Sequence, residues 1–336
     1  MSTRRFQMGA IGRVGVALVA AAIGMSALAA CGSDSAKPES AVSAADSASF
    51  PRTLDTPTGA VTIPHVPKRV VVLDTAELDS VTLLGIKPVG AVTPHTKSSS
   101  GFPEYLAAKV GAATDVGPLL EPNLERIASL KPDLILSSKV RHEKIYSKLS
   151  GIAPTVFTET TGGPWKANLA VHAKALGLEQ QAADALKDYE GRAKSLGAAI
   201  GAKNNGVLPV ASVVRFMAGP TRLYQSTSFS GVVLGDIGLP RPTSQVSTDP
   251  LKTMKDISPE QIDQADADLI FIATVEDPSK TQKGAVTTSP VWNDLRAVKN
   301  GKAVEVPDET WMSGIGVQAA DKMLADVAKA TGVELK

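Results

Sequence analysis

LERIASLKPDLIL (residues 124–136) returns farther along the chain as PEQIDQADADLIF (residues 259–271). Both copies read Glu-x-Ile, then five residues, then Asp-Leu-Ile. Each is a short amphipathic helix running into a buried strand: Leu124, Ile127 and Ala128 share one helical face, and then the period changes. Asn123 can cap the first helix. Ser258 can cap the second, with Pro259 at its first position and Gln261 at its third. On that register Glu125 and Glu260 occupy the same second position and point away from the apolar face. Two readings of these carboxylates follow from the residues alone: each complements a helix N-terminus, or the two are paired docking charges.

Working outward, strand and helix alternate on both sides of the repeat. Residues 59–64 alternate as a strand does, and the unbroken apolar run within residues 67–73 suits the middle of a parallel sheet covered on both faces. A helix over 77–84 stops at Gly85-Ile86-Lys87-Pro88, before a strand at 89–92. Further strands are expected at 133–137 and 155–157. From Trp165 a helical pattern continues to residue 200 with one stop at Gly177, and its second piece, 179–200, would be about 33 Å long. That is longer than a crossover in a compact α/β domain needs, and it falls between the two Glu motifs. Alternation then resumes with a strand over 207–216 and a helix over 229–237. Gly238-Leu239-Pro240-Arg241-Pro242 then echoes the earlier Gly-Ile-Lys-Pro stop. Two matches in the same order point to an internal duplication within an α/β chain.

The N-terminus reads as an export signal. Arg4, Arg5 and Arg13 precede an uncharged run over 14–30 that is short for a bilayer span and ends in Leu28-Ala29-Ala30-Cys31, similar to a bacterial lipobox. Cys31 is the only cysteine, and a lone cysteine beside a small-residue cleavage site is best explained as the lipidated N-terminus of an extracytoplasmic protein held on the cell membrane. Ordinary secretion and twin-arginine export both fit the leader. The polar stretch after Cys31 reads as a tether. With 35 basic and 34 acidic residues, overall charge suggests neither nucleic acid nor an anionic lipid surface.

Seven segments, in order, carry a family resemblance: VTIPHVPKRVVVL, NLERIASLKPDLIL, KLSGIAPTVF, TETTGGPW, TRLYQSTSF, ISPEQI and DETWMSGIG. The chain resembles the substrate-binding lipoproteins of iron-siderophore ABC importers, the helical-backbone (class III) periplasmic-binding-protein family, which also contains cobalamin and haem binders. The resemblance implies an α/β fold of two lobes, each a three-layer sandwich, bridged by one long α-helix with the ligand cleft between them. Expected boundaries are a signal peptide at 1–30, a tether at 31–55, lobes at 56–175 and 203–336, and a linking helix at 176–202. A rigid bridge predicts modest closure on binding. The resemblance also implies that Glu125 and Glu260 dock on arginines of the permease. It implies a ferric siderophore as ligand, no cofactor, and a monomer working with permease and ATPase subunits.

A siderophore complex is bulky and rich in anionic oxygens, which an arginine fork can bind without competing for iron. Arg141 follows a strand and Arg215 ends one, where open α/β sheets place ligands. Arg222 and Tyr224 adjoin them. With few well-placed cations, hydroxamate chelates are slightly favoured over the more highly charged catecholates. Trp165 and Trp311 stand outside obvious core periodicity and could stack on a chelate, whereas Trp292 has core spacing. A free-metal site is disfavoured because His65, His95, His142 and His172 show no ligand spacing. Haem or cobalamin is the alternative within the fold, with Tyr224 or His142 as groups that could reach an iron. An exported hydrolase lacks a nucleophile motif in a convincing context. A non-transport surface protein remains the reading from another class.

Overall fold

The computed structural model describes residues 49–93, 101–275 and 278–335. The leader, Cys31, most of the tether and His95 lie outside the described residues. The strands, in chain order, are β1 (Arg52–Thr56), β2 (Gly59–Ile63), β3 (Val70–Val72), β4 (Gly90–Thr93), β5 (Thr114–Pro118), β6 (Leu134–Ser138), β7 (Thr155–Thr158), β8 (Ala211–Phe216), β9 (Thr221–Tyr224), β10 (Met254–Ile257), β11 (Leu269–Thr274) and β12 (Ala303–Val306). β1 begins inside the stretch read as tether. It does so because Leu54 is buried and pairs with Val61 in an antiparallel hairpin with β2.

Two five-stranded sheets carry the rest, ordered β5-β4-β3-β6-β7 and β10-β9-β8-β11-β12. Adding five to each strand of the first order gives the second, so the duplication read from short motifs is a duplication of sheet topology. Its symmetry breaks at one place. The first sheet is wholly parallel, but β9 runs antiparallel to β8 and β10 antiparallel to β9. In the first lobe the helix Thr75–Leu83 separates β3 from β4, whereas a short turn joins β8 to β9 and the helix Phe229–Ile237 follows only afterwards. A short connection can only make an antiparallel neighbour.

All residues of β3 and β6 are buried, as expected of central strands covered on both faces. Each begins or continues from one of the quoted motifs. Asn123 accepts from the Arg126 N–H to cap the helix Leu124–Ser129, and Ser258 with Gln261 forms a capping box. Two details differ from expectation. Residues Pro259–Ala265 form a tighter 3-10 helix rather than an α-helix, and Ala128 is exposed, leaving Ile127 as the buried anchor.

Between the sheets runs the helix Glu179–Lys203, 25 residues long and so about 37 Å. The stop before it is real: Gly177 is left-handed at φ 74°. Tyr189, Ala193, Leu196 and Ile200 are buried along one stripe, against the helices Trp165–Leu176, Phe229–Ile237 and Val317–Thr331. A Cβ on Gly197 would stand 1.9 Å from the Ile237 carbonyl oxygen, so only glycine lets these two helices approach this closely.

Candidate ligand-binding site

The site is built from residues at the carboxyl ends of strands in both lobes. β3 runs into Asp74, which caps the helix Thr75–Leu83. β6 runs into the short helix that carries Arg141. The Arg141 Nε donates to Asp74 Oδ2 at 2.9 Å, and the Asp74 side chain is 1 % exposed against 29 % for Arg141. Its Nη1 and Nη2 meet no partner among the described residues.

In the second lobe Arg215 lies near the end of β8, and Asp308 follows β12. Arg215 donates through Nε and Nη2 to the two Asp308 oxygens at 2.6 and 2.8 Å, and through Nη1 to the Tyr224 hydroxyl at 2.9 Å. This fork is more enclosed than that of Arg141, with side-chain exposures of 14 % and 6 % for Arg215 and Asp308. Burial works against the charge, but Tyr224 and Asp308 outweigh it and hold the guanidinium above its ordinary value. Arg222 is the cross-strand neighbour of Arg215 and is paired with Asp256 at 3.0 Å.

The two clusters are joined. The Thr75 hydroxyl donates to the Ser313 carbonyl oxygen at 2.5 Å, the Ser313 hydroxyl donates to Asp308 Oδ2 at 2.9 Å, and the Thr75 N–H donates to Asp74 Oδ1 at 2.7 Å. Arg141 and Arg215, chosen from the sequence as separate strand-end cations, are therefore the two ends of one hydrogen-bonded chain. Asp74, Thr75, Asp308 and Ser313 were missed by the sequence reading. A signal existed, since both carboxylates directly follow strands, in VVVLD and VEVPD.

Both loop tryptophans must be corrected. Trp165 is 2 % exposed and packs edge-on against Tyr189 and Phe229, with centroids at 5.3 and 5.8 Å. Trp311 is fully buried, lies 4.5 Å from the Phe271 ring and donates its Nε1–H to Asp326. Neither presents a face to a ligand, because each seals core that residues distant in sequence complete. Trp292 is core as expected.

His142 is also corrected as an iron-reaching group. Its Nε2 lies 2.7 Å from the Leu119 carbonyl oxygen and its Nδ1 lies 2.6 Å from Ser137 Oγ. A carbonyl can only accept, so Nε2 carries the proton and Nδ1 accepts from the serine. Burial pushes this imidazole below its ordinary value, and no lone pair is left for a metal. Among the described residues no three His, Cys, Asp or Glu side chains gather as a metal site, and no helix is long and apolar enough to cross a membrane.

Glu125 and Glu260 are exposed. They occupy equivalent places, each in the turn of helix preceding a strand next to the middle of its sheet, β6 and β11. The Glu260 carboxyl is held below the usual range by its own backbone N–H and the Ser258 hydroxyl. A separate open depression of about 530 Å³ lies against β10, lined by Gln225, Thr248, Asp249, Lys252 and Lys255 among others. None of the residues chosen from the sequence lines it.

Two α/β lobes on one rigid helix, with charged strand-end residues of both lobes meeting between them, define a two-lobed solute-binding protein. The chain belongs to the family described as "Periplasmic binding protein", whose model matches residues 70–310. It is 38% identical over 312 residues to the Bacillus subtilis protein named "Probable siderophore-binding lipoprotein YfiY", covering 89% of this chain and 92% of that one. It is 33% identical over 279 residues to the Fe(3+)-citrate-binding protein YfmC of the same organism, covering 81% and 83% of the two chains. Among solved structures, Staphylococcus aureus SirA complexed with staphyloferrin B superposes with a TM-score of 0.75 at 34% identity, over 85% of this chain and 100% of that one. The resemblance read from the sequence and its two-lobed α/β fold are borne out, and the relatives are binding proteins rather than enzymes.

Proposed function

We propose that this protein captures a ferric siderophore between its lobes and delivers it to the permease of an ABC importer, with no covalent bond made or broken. The observation that carries the reading is the pair of strand-end arginines, one from each lobe, in a chain whose relatives bind ferric chelates. Arg141 spends only its Nε on Asp74, so its outer edge can meet ligand oxygens in a bidentate, charge-assisted bond. Arg215 holds the Tyr224 hydroxyl in place. Arg222 joins the site by exchanging Asp256 for the ligand. Iron stays with its chelator and needs no ligand from the protein.

Few cations with open edges favour a chelate of modest charge, and this supports a hydroxamate. A second reading has its own support: the ferric-citrate-binding relative favours a carboxylate chelate, whose oxygens suit arginine forks equally well. Cys31 anchors the mature protein as a lipoprotein at the outer face of the cell membrane, and the chain acts as a monomer. Two carboxylates at equivalent places on opposite lobes suit docking because contacts at two separated points fix orientation as well as affinity. The double variant Glu125→Ala/Glu260→Ala should therefore bind ferric chelate as the parent does and yet fail to support iron uptake in cells lacking the parent gene. Normal uptake by that variant would remove the docking assignment.

A further inference from the structure

We propose that Asp74, Thr75, Ser313 and Asp308 are positioning residues that make the two cleft guanidiniums one preset unit, with the Thr75 hydroxyl as the link where the chain crosses between lobes. This rests on the reading of Arg141 and Arg215 as ligand-binding groups for its purpose, but its geometry stands without any ligand. Asp74 and Asp308 are nearly inaccessible, and a buried carboxylate needs a donor for each oxygen. Each has them: Arg141 Nε and the Thr75 N–H on Asp74, and Arg215 with the Ser313 hydroxyl on Asp308.

The Thr75 hydroxyl has one proton. Two oxygens compete for it, Ser313 O at 2.5 Å and Asp74 Oδ1 at 3.2 Å. The shorter contact takes it, because Asp74 Oδ1 is already served by the Thr75 N–H. That one bond joins the start of the helix Thr75–Leu83 to the turn Glu309–Ser313 after β12. Ser313 then works in both directions, accepting through its carbonyl from one lobe and donating through its hydroxyl to the other.

The arrangement has a consequence for binding. A ligand that takes the Nη edge of Arg141 adds to the chain without breaking it. The guanidiniums are thus ordered before the ligand arrives, and less freedom is lost on binding. Thr75 does not touch the ligand in this account; it acts through the arginines.

The test needs no ligand for its deciding arm. In ¹⁵N-labelled apoprotein the Nε–H signals of Arg141 and Arg215 are assigned with Arg141→Lys and Arg215→Lys, and their exchange with water is measured. Thr75→Val keeps the side-chain shape and removes the donor. It should speed exchange at both arginines by about tenfold, the size expected for one hydrogen bond, and Thr75→Ser should restore the parent rates. Ser313→Ala, at a part-exposed position that tolerates the change, should speed exchange at Arg141 across the cleft as well as at Arg215. It decides the matter if Thr75→Val does not fold. If either variant alters only the arginine of its own lobe, or neither arginine, the pairs are independent and the proposal is overturned. A second arm measures ferric citrate affinity, expected to fall about tenfold in Thr75→Val and to recover in Thr75→Ser. Failure of the parent itself to bind any ferric chelate would count against the proposed function, while the exchange rates would still decide the positioning chain.

Discussion

Arg141 and Arg215 are the same residue type in similar places, yet their surroundings give them different tasks. Arg215 is enclosed, with Nε, Nη1 and Nη2 all donating to Asp308 and Tyr224. Arg141 is tied at Nε alone. Removing Arg215 strands a buried carboxylate, which costs on the order of 3 kcal/mol. Arg215→Ala should therefore lower the urea unfolding free energy by about that much; Arg141→Ala, which leaves the buried Asp74 Oδ2 without its donor, should lower it by a similar order and should in addition lose chelate affinity. A parent-like urea midpoint in either variant would contradict these pairings. Both arginines were legible in the sequence because a cation after an apolar run needs only local context to be noticed. Their carboxylate partners sit far along the chain, so the pairing was not legible. The tryptophans were misread for the same reason: rarity makes them conspicuous, but Tyr189, Phe229 and Phe271, which bury them, are remote in sequence.

At the level of elements, caps and stops were the most reliable local signals, since Asn123, Ser258 with Gln261, and Gly177 need only adjacent residues. The cap of the C-terminal helix Val317–Thr331 was invisible, because it comes from another element. Asp79, on the helix Thr75–Leu83, accepts from the backbone N–H groups of Gln318 and Ala319. Gly316 leaves the space, since a Cβ there would stand 2.3 Å from Asp79 Oδ1 at a φ of 148°. Burial pushes the Asp79 carboxyl up to about 7 from an ordinary 3.8, against the lowering effect of its bonds from Gln318, Ala319 and Tyr105. Between those two values the folded chain holds a proton that the unfolded chain has released. The stabilising contribution of this group is thus complete below the lower value and is lost as pH rises through about 7. The urea midpoint should fall as pH rises from about 4 to about 7, and Asp79→Asn should flatten that slope. A midpoint that rises over the interval, or a slope unchanged by the substitution, would be inconsistent with a raised carboxyl.

At the scale of the molecule, two lobes, a bridging helix and an internal duplication could all be anticipated, because periodicity and repeated motifs report them, while the strand order within each sheet came from the structure. What could not be anticipated was the reversed polarity of β9, which depends on where a helix falls relative to a turn. The bridge is also tied to its neighbours. Lys166 pairs with Glu190 and Asp236 at 2.8 Å each, Tyr189 donates to Asp236, and Arg192 forks onto Asp321. These bonds join the long helix to the helices Trp165–Leu176, Phe229–Ile237 and Val317–Thr331. They favour limited closure around a ligand over a wide hinge. All three tryptophans are buried, so ring stacking cannot report binding.

Capture of an intact ferric chelate by the arginines of the cleft is open to equilibrium dialysis. Purified protein is dialysed against ferric citrate, a ferric trihydroxamate, haem and cobalamin, and the ligand retained is read from its own absorbance. We expect saturable retention of one ferric chelate at one per chain, with its spectrum unchanged, and a loss of affinity of tenfold or more in Arg141→Ala, the order expected for a charge-assisted bond. Retention of haem or cobalamin alone, or chelate binding that Arg141→Ala leaves intact, would contradict it.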